Sequence, residues 1–344
     1  MPDEIAEPRR RFWRRKRFVG GLATALVVVA VFIVVLPRIA DYRDVWDVLE
    51  DLGWTDALML LAATVLNLAT FAPPWMVALP GLGFRRAFML SQASTAISMV
   101  SPAGAAVGMA GSYTLLRSWR FSTGAVALAV ALTGVWNQLA NLTFPIAALA
   151  LLTGVDQDHP ALRSAALVGL AVLLLVLSAF AFALSSATRA RRIGGLAARV
   201  TTRVKGWFRR EPVTWGGEGL AGFRRSALGL LRRRWHVLTA ATLVGHLTVF
   251  LLLLVCLRAV GVSESEISWI QAFAAWSLIR ILGALPITPG GVGIVEVGLT
   301  GALVAFGASN ADAVAATLLY RALTVLPTLG LGMLAAATWR RHRP

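Results

Sequence analysis

The sequence is poor in the groups that disulfides, metal sites and polar surfaces require. Its 344 residues include one cysteine, Cys256, and four histidines, and only 15% of its residues are charged. A single cysteine excludes an intramolecular disulfide and a metal site built from several thiolates. His236 and His246 have no carboxylate or cysteine nearby in the sequence, so we expect neither a metal nor another cofactor.

Acidic residues are the second scarce class, with 17 against 33 basic residues and a formal net charge of +16. A nucleic-acid-binding protein spreads such a charge over a polar surface. Here the arginines instead lie outside long apolar runs and flank them on one side, which is the pattern that membrane topology requires. We therefore expect no nucleic-acid partner.

Apolar residues are abundant, at 57% of the chain, with a mean hydropathy of +0.71. A membrane-spanning helix needs about 20 mostly apolar residues. Six runs meet this length, and the pattern predicts an all-α, polytopic integral membrane protein. The runs are Phe18–Leu36 (a retained helix rather than a cleaved signal), Trp54–Leu79, Ser122–Leu152, Ala161–Leu184, His236–Val260 and Ala311–Thr338.

Two further apolar stretches are interrupted by proline and glycine. Ala87–Leu116 is broken at residues 101–104, and Ser268–Phe306 is broken at residues 286–291. Each arm of the first stretch has about 14 residues and reaches about 21 Å, which is less than the ~30 Å hydrocarbon core. We predict that each stretch forms a helical hairpin, either re-entrant or fully spanning.

The charges between the runs predict the orientation of the chain in a cytoplasmic membrane. Cytoplasmic loops are enriched in arginine and lysine. The N-terminal arginine cluster, the arginine-rich segment 188–235 and the C-terminal arginines therefore face the cytoplasm, and both termini are cytoplasmic. Each hairpin must enter and leave on one side, since otherwise segment 188–235 would lie outside.

The order of elements predicts an inverted repeat. When Pro102-Ala103-Gly104 is laid over Pro289-Gly290-Gly291, the helices around the two breaks correspond but run in opposite directions. We predict one membrane domain of two inverted halves, 1–155 and 156–344, the second carrying the cytoplasmic linker 188–235. Each half also has an amphipathic linker helix of the kind that lies in the membrane interface. Inverted halves with broken helices are typical of transporters.

The residues of the second break carry a family resemblance. The run from Pro286 to Glu296 resembles the PxTPGGxGxxE segment of the lysylphosphatidylglycerol synthase transmembrane region family, also called flippase-like domain proteins. Leu318 to Leu323, with Tyr320 and Arg321, is similar to the family's second signature. Ser101 to Arg117 is similar to its first-half segment. The resemblance implies a membrane domain that moves lipids between leaflets, but no synthase domain, because segment 188–235 is too short for one.

The second hairpin tip is the first candidate site. Glycines leave backbone N–H groups uncovered, and a helix that begins within the membrane directs its positive end at the ligand, which favours an anion such as a lipid phosphate. The alternative is that proline and glycine only form a tight tip. The candidate substrate-binding residues here are Thr288, Pro289, Gly290, Gly291 and Gly293, with a weaker copy at Pro102 and Gly104 in the first hairpin.

Three ionisable residues inside apolar runs complete the candidate site: Arg280, Glu296 and Arg321. Charges in a membrane are costly and mark functional sites, where they pair or contact water. We expect Glu296 to pair with one arginine and to leave the other for a headgroup phosphate. The alternative is a purely structural ion pair. Four polar residues, Gln92, Asn137, Gln138 and Asn141, either line the same cavity or join neighbouring helices.

These patterns favour a lipid translocase that moves an anionic phospholipid or a lipid-linked headgroup between leaflets. The alternative is a membrane-embedded accessory partner of a separate lipid-modifying transferase. We expect no enzymatic activity, because no arrangement of acid, base and nucleophile is present. The expected partners are membrane lipids with anionic headgroups.

Overall fold

The computed structural model describes residues 42–101, 104–155, 160–207, 216–284 and 288–339. Within these ranges the regular structure is helical and contains no strand, which confirms the all-α prediction. The helices are α1 (Tyr42–Glu50), α2 (Trp54–Thr70), α3 (Pro73–Ala78), α4 (Phe84–Met99), α5 (Gly104–Ser118), α6 (Thr123–Val155), α7 (Pro160–Ser185), α8 (Ala187–Trp207), α9 (Gly217–Ala259), α10 (Trp269–Ala284), α11 (Ile294–Phe306) and α12 (Asn310–Trp339). A 3₁₀ turn, Pro289–Gly291, precedes α11.

Four helical segments in the described ranges are long and apolar enough to cross a membrane, and each matches a predicted run. They are Trp54–Ala78, Thr123–Gly154, Glu218–Ala259 and Asn310–Ala335. A bent pair, Leu167–Phe182 with Ala187–Arg203, counts as a fifth if it is one span. The chain is therefore a multi-pass membrane protein. The predicted first span, Phe18–Leu36, lies outside the described residues.

The bend between α7 and α8 is 102° and lies where the apolar run meets arginines. Helix α7 carries few charges, whereas α8 contains Arg189, Arg191 and Arg192 within its first turns. Arginine is costly in hydrocarbon, so a turn out of the spanning direction keeps these side chains near water. The sequence analysis predicted the apolar run but not helix α8.

Helix α9 corrects one predicted boundary. The predicted span began at His236, after a separate linker helix, but α9 is continuous over 43 residues from Gly217 to Ala259. At 1.5 Å per residue it is about 65 Å long, roughly twice the hydrocarbon thickness. No proline and no cap interrupts α9 at Trp235–His236. Arg232–Arg234 are good helix formers, so the chain changes from polar to apolar at this point without leaving the helix.

Contacts between Cα atoms divide the chain into two compact units, each made of several segments. The first unit comprises Met1–Ala69, Ser91–Gly111 and Leu247–Pro344, and the second comprises Thr70–Leu90 and Ser112–His246. The predicted halves 1–155 and 156–344 differ from these units, and the inverted repeat stays a prediction.

Helices α4 and α5 form the first hairpin. A Cβ atom on Gly108 would lie 2.9 Å from the carbonyl oxygen of Ser94. These residues would be about 21 Å apart on a continuous helix, so α5 folds back against α4. A Cβ on Gly104 would lie 2.6 Å from the carbonyl oxygen of Ser98, which leaves room only for glycine at the start of α5.

Helices α10 and α11 form the second hairpin, which lies in the first unit. A Cβ on Gly283 would lie 2.9 Å from Val295, and a Cβ on Gly298 would lie 2.8 Å from Ile279. Small residues let the two helices approach closely, which is the usual basis of helix packing in membranes. Helix α11 also packs against α12, which follows it after the short turn 307–309.

Candidate functional site

The carboxylate of Glu296 connects the second hairpin to the last helix, α12. Glu296 lies in the first turn of α11, where its Oε2 accepts a hydrogen bond from the backbone N–H of Gly293 at 2.6 Å. Its Oε1 accepts a hydrogen bond from Nε of Arg321 in α12 at 2.6 Å. The side chains of Glu296 and Arg321 are only 3% and 13% exposed, so the ion pair is buried.

Arg321 makes a second contact with the hairpin tip. Its Nη2 donates to the carbonyl oxygen of Gly290 at 3.2 Å. One guanidinium group therefore holds both the carboxylate of α11 and the backbone of the 3₁₀ turn. We call the four residues Gly290, Gly293, Glu296 and Arg321 the tip clamp.

Glycine is required in the clamp by backbone conformation. Gly290, Gly291 and Gly293 have φ angles of +62°, +67° and +88°, in the left-handed region that other residues rarely adopt. A Cβ on Gly290 would also lie 3.1 Å from the carbonyl oxygen of Met99, the last residue of α4. The tips of the two hairpins therefore approach each other within the first unit, and this approach depends on the absence of a side chain at Gly290.

Arg280 lies beside the tip clamp on α10. Its guanidinium carbon is 5.0 Å from the centre of the Trp276 ring, within the range of a cation–π interaction. Arg280 and Arg321 both lie near Tyr320, which is 6% exposed. Because Glu296 contacts Arg321, the three predicted ionisable residues lie in one region, around Tyr320.

The three ionisable residues also share a depth. Arg280 and Arg321 each lie about three turns after the start of their helices, α10 and α12, and Glu296 lies about three turns before the end of α11. These helix ends lie on one side, because α10 and α11 pack as a hairpin, with Gly298 against Ile279, and a short turn joins α11 to α12. At 1.5 Å per residue each charge lies about 15–17 Å from that side, which is near half of a ~30 Å hydrocarbon core.

The other predicted site residues have mixed positions. Thr288 precedes the clamp, and its Oγ1 is buried and has no hydrogen-bond partner among the described residues. Pro289 begins the 3₁₀ turn. Gly104 begins α5 and packs against Ser98, and no hydrogen bond among the described residues joins it to the three charged residues. Pro102 lies outside the described residues.

The predicted anion site at the start of α11 holds a carboxylate of the protein itself, that of Glu296. The backbone N–H of Gly293 donates to the carboxylate of Glu296, which is three residues later in the same chain. A carboxylate at this position is stabilised by the positive end of the helix, as a phosphate would be. A ligand phosphate and Glu296 would therefore use the same donors.

Two of the four predicted polar residues join helices. Gln92 donates from Nε2 to the carbonyl oxygen of Leu68 at 3.1 Å in the first unit. In the second unit, Oδ1 of Asn137 lies 3.1 Å from Nε2 of His246, a buried residue of α9. Asn141 contacts Gln138 one turn away on α6, at 3.4 Å. Gln92 and Asn137 thus make the interhelical contacts that the sequence analysis gave as one of its two alternatives.

The residues that surround the three charges carry no sequence pattern of their own that predicts a site role. Trp276 has the pattern of an ordinary core aromatic and Tyr320 enters only as part of a family signature, yet Trp276 lies against Arg280 and Tyr320 lies near both arginines. Thr300 and Thr317 lie four residues from Glu296 and Arg321 respectively and are fully buried. The i, i+4 spacing from an intramembrane charge was the signal that could have identified both threonines.

The sequence matches the family described as the lysylphosphatidylglycerol synthase TM region over residues 22–332. The match covers most of the chain, so this protein belongs to that family, as the resemblance at the second hairpin predicted. It is therefore a membrane domain of a family related to lipid modification or transport. No curated protein matches the chain.

Proposed function

We propose that this member of the lysylphosphatidylglycerol synthase TM region family is a lipid translocase of the cytoplasmic membrane. It moves an anionic phospholipid or a lipid-linked anionic headgroup between leaflets and forms no covalent bond with it. Both termini of the chain are cytoplasmic in this proposal.

The observation that carries the proposal is the grouping of Arg280, Glu296 and Arg321 at one depth. Two arginines and one carboxylate give the group a net positive charge, about 15 Å along the helices from the ends that this proposal places at the membrane surface. A charge at that depth costs roughly 2.5–3.5 kcal/mol even on insertion scales, so an anionic ligand would stabilise the group. Arginine also binds phosphate through a planar set of donors.

The irregular backbone of the second hairpin supports the same function. Helix α10 has 16 residues and helix α11 has 13, so they reach about 24 and 20 Å. Their tip therefore lies at a depth where non-helical backbone occurs only inside protein or beside a wet cavity. Broken helices at that depth are where many transporters bind their substrates.

The test is lipid scrambling by the purified protein in liposomes that contain fluorescent phosphatidylglycerol. We expect movement by the wild type, at least tenfold slower movement after Arg280→Ala, and movement close to wild type after Arg233→Ala. Arg233 is the matched control, because it is an exposed arginine on α9. Folding of each variant is checked by gel filtration and thermal melting.

Absence of movement for any anionic lipid, with folded wild-type protein, would contradict the translocase. Copurification with a lipid-modifying transferase would then support the accessory role. Formation of a modified lipid by the purified chain alone would contradict the proposed absence of catalysis.

A further inference from the structure

Two buried hydroxyl groups between α11 and α12 are not used by the tip clamp. Thr300 and Thr317 are each 0% exposed. Neither Oγ1 has a hydrogen-bond partner among the residues that the structure describes. Buried threonines in helices usually donate to the carbonyl four residues earlier, as Thr324 does to Tyr320 at 2.8 Å. A buried hydroxyl without a partner destabilises the folded protein, so its presence calls for a reason.

The register of the two helices places these hydroxyls together. Glu296 of α11 contacts Arg321 of α12, and the helices are antiparallel because a short turn joins them. Thr300 is four residues after Glu296, and Thr317 is four residues before Arg321. Residues four apart share a helical face. Thr300 therefore lies one turn from Glu296 on the same face of α11, and Thr317 lies one turn from Arg321 on the same face of α12.

The chemistry of the threonines complements that of Glu296. An ionised carboxylate only accepts hydrogen bonds, and a threonine hydroxyl can donate one. Glu296 is the residue one turn away on the same face as Thr300, within the range over which side chains at i and i+4 interact. Two hydroxyls from opposing helices would therefore supply two donors to a carboxylate that left Arg321.

We propose that Glu296 alternates between two positions and so acts as an internal competitor of the lipid phosphate. In the first position, which the structure shows, it accepts from Gly293 and Arg321. In the second, it accepts from Thr300 and Thr317, while the phosphate of an anionic headgroup takes over Gly293 and Arg321. This inference rests on the proposed function for the identity of the ligand, but not for the movement of Glu296.

Exchange of anions explains how a strongly held ion pair can belong to a transport site. A ligand shifts an equilibrium only by its differential affinity for the two states. The phosphate supplies that difference, because it can reach Arg321 and Gly293 only when Glu296 has moved. The threonines lower the free energy of the displaced carboxylate, which would otherwise be buried without donors. Thr300 and Thr317 are thus positioning residues for the bound state.

The first test measures binding rather than transport. The affinity of the detergent-solubilised protein for phosphatidylglycerol is determined by microscale thermophoresis for wild type and for the double variant Thr300→Val with Thr317→Val. We expect the variant to bind at least about tenfold more weakly, because two hydrogen bonds to a charged group are lost. Its melting temperature should equal or exceed that of wild type, since the substitutions remove hydroxyls that lack partners in the ligand-free protein.

Thr242→Val is the matched control. Thr242 is also a buried threonine of a spanning helix, 3% exposed, and its Oγ1 has no partner among the described residues. It lies on α9 in the second unit, far along the chain from the tip clamp. We expect its affinity for phosphatidylglycerol to equal that of wild type. An equal loss of affinity in Thr242→Val would overturn the specific role of the two threonines.

The second test observes the carboxylate directly by infrared difference spectroscopy. Addition of phosphatidylglycerol to wild type should shift a carboxylate stretching band that is missing from Glu296→Gln, and the shift should be lost in the double threonine variant. A bound lipid with no shift of this band would overturn the two-position mechanism. Inorganic phosphate is the second arm, and a shift with phosphate but not with lipid would overturn the lipid as the displacing ligand.

A third measurement separates a coupled role from a merely structural one. In the Glu296→Gln background, the two threonine substitutions should change affinity less than twofold, because no displaced carboxylate remains for them to hold. A tenfold loss in that background would overturn the inference. Failure of the proposed function has a different signature. Binding and the band shift would then be present while lipid scrambling is absent, whereas scrambling that the threonine variants leave unchanged would overturn only the inference.

Discussion

At the scale of single residues, the tip clamp joins a buried charge pair to a turn whose glycines have a left-handed backbone conformation. Breaking a buried ion pair by removing one partner leaves a desolvated charge, whereas replacing both partners by apolar residues of similar volume is often neutral. This asymmetry separates a structural role of Glu296 and Arg321 from a functional one, because only function requires the charges themselves.

The first prediction concerns Arg321→Ala, which leaves Glu296 buried at 3% exposure without its cation. We expect a loss of about 3–5 kcal/mol in stability, measured as a lower melting temperature or faster inactivation in detergent. The companion variant, Glu296→Met with Arg321→Met, should regain most of the stability but should not scramble lipid. A double variant that scrambles normally would show that the pair is structural, and one as unstable as Arg321→Ala would contradict the energetic argument.

The second prediction concerns the left-handed backbone at Gly290, whose φ is +62°. An L-residue in this region costs roughly 1–2 kcal/mol, and a Cβ here would also approach the carbonyl oxygen of Met99. Gly290→Ala should therefore lower the melting temperature. Gly301→Ala is its control, because Gly301 lies within α11 and a Cβ there meets nothing within 4 Å. Equal melting temperatures for the two variants would contradict the required conformation.

At the scale of elements, the last helix packs against the first hairpin through one glycine. A Cβ on Gly332 of α12 would lie 2.3 Å from the Cβ of Ala96 and 3.1 Å from the carbonyl oxygen of Gln92, both in α4. The backbone carbonyl cannot rotate away as a flexible side chain can. Helices α4 and α12 therefore approach each other so closely at Gly332 that even a methyl group would force them apart.

The third prediction compares Gly332→Ala with Gly330→Ala. Overpacking typically costs about 1–3 kcal/mol, so Gly332→Ala should lower the melting temperature. Gly330 lies two residues away on the same helix, and a Cβ there meets nothing within 4 Å. Alanine is the better helix former by roughly 0.5–1 kcal/mol, so Gly330→Ala should be neutral or stabilising. The reverse order of melting temperatures would exclude the close contact of α4 and α12.

The elements also show what the sequence could and could not predict. Apolar length located the four spans, and the Pro/Gly breaks located both hairpins, because those features depend on local composition. The prediction of a separate linker helix before His236 was wrong, because a change from basic to apolar residues does not end a helix whose backbone hydrogen bonds continue. The sequence predicted that Glu296 pairs with one of the two arginines, but that this arginine is Arg321 required the register of α11 on α12, which no local pattern contains.

At the scale of the whole molecule, the positions of the arginines predict which loops share a side of the membrane. Arg85 lies in the first turn of α4, where the first hairpin begins, and Thr123 begins the helix after that hairpin. Ser265 and Asn310 flank the second hairpin. All four positions are exposed. The positive-inside rule assigns the first pair to the cytoplasm and the second pair to the outside, so each hairpin begins and ends on one side.

The fourth prediction tests this arrangement with cysteines introduced singly at the four positions. The native Cys256 is fully buried and should react little, so it leaves a low background. A membrane-impermeant maleimide should label Ser265→Cys and Asn310→Cys in intact cells, and should label Arg85→Cys and Thr123→Cys only in inverted vesicles. Labelling of the two flanks of one hairpin from opposite sides would mean that this stretch crosses the membrane once. The direction in which α12 crosses the membrane would then be opposite to the predicted one. The three charged residues would no longer be accessible from the side of the membrane that the arginine pattern predicts.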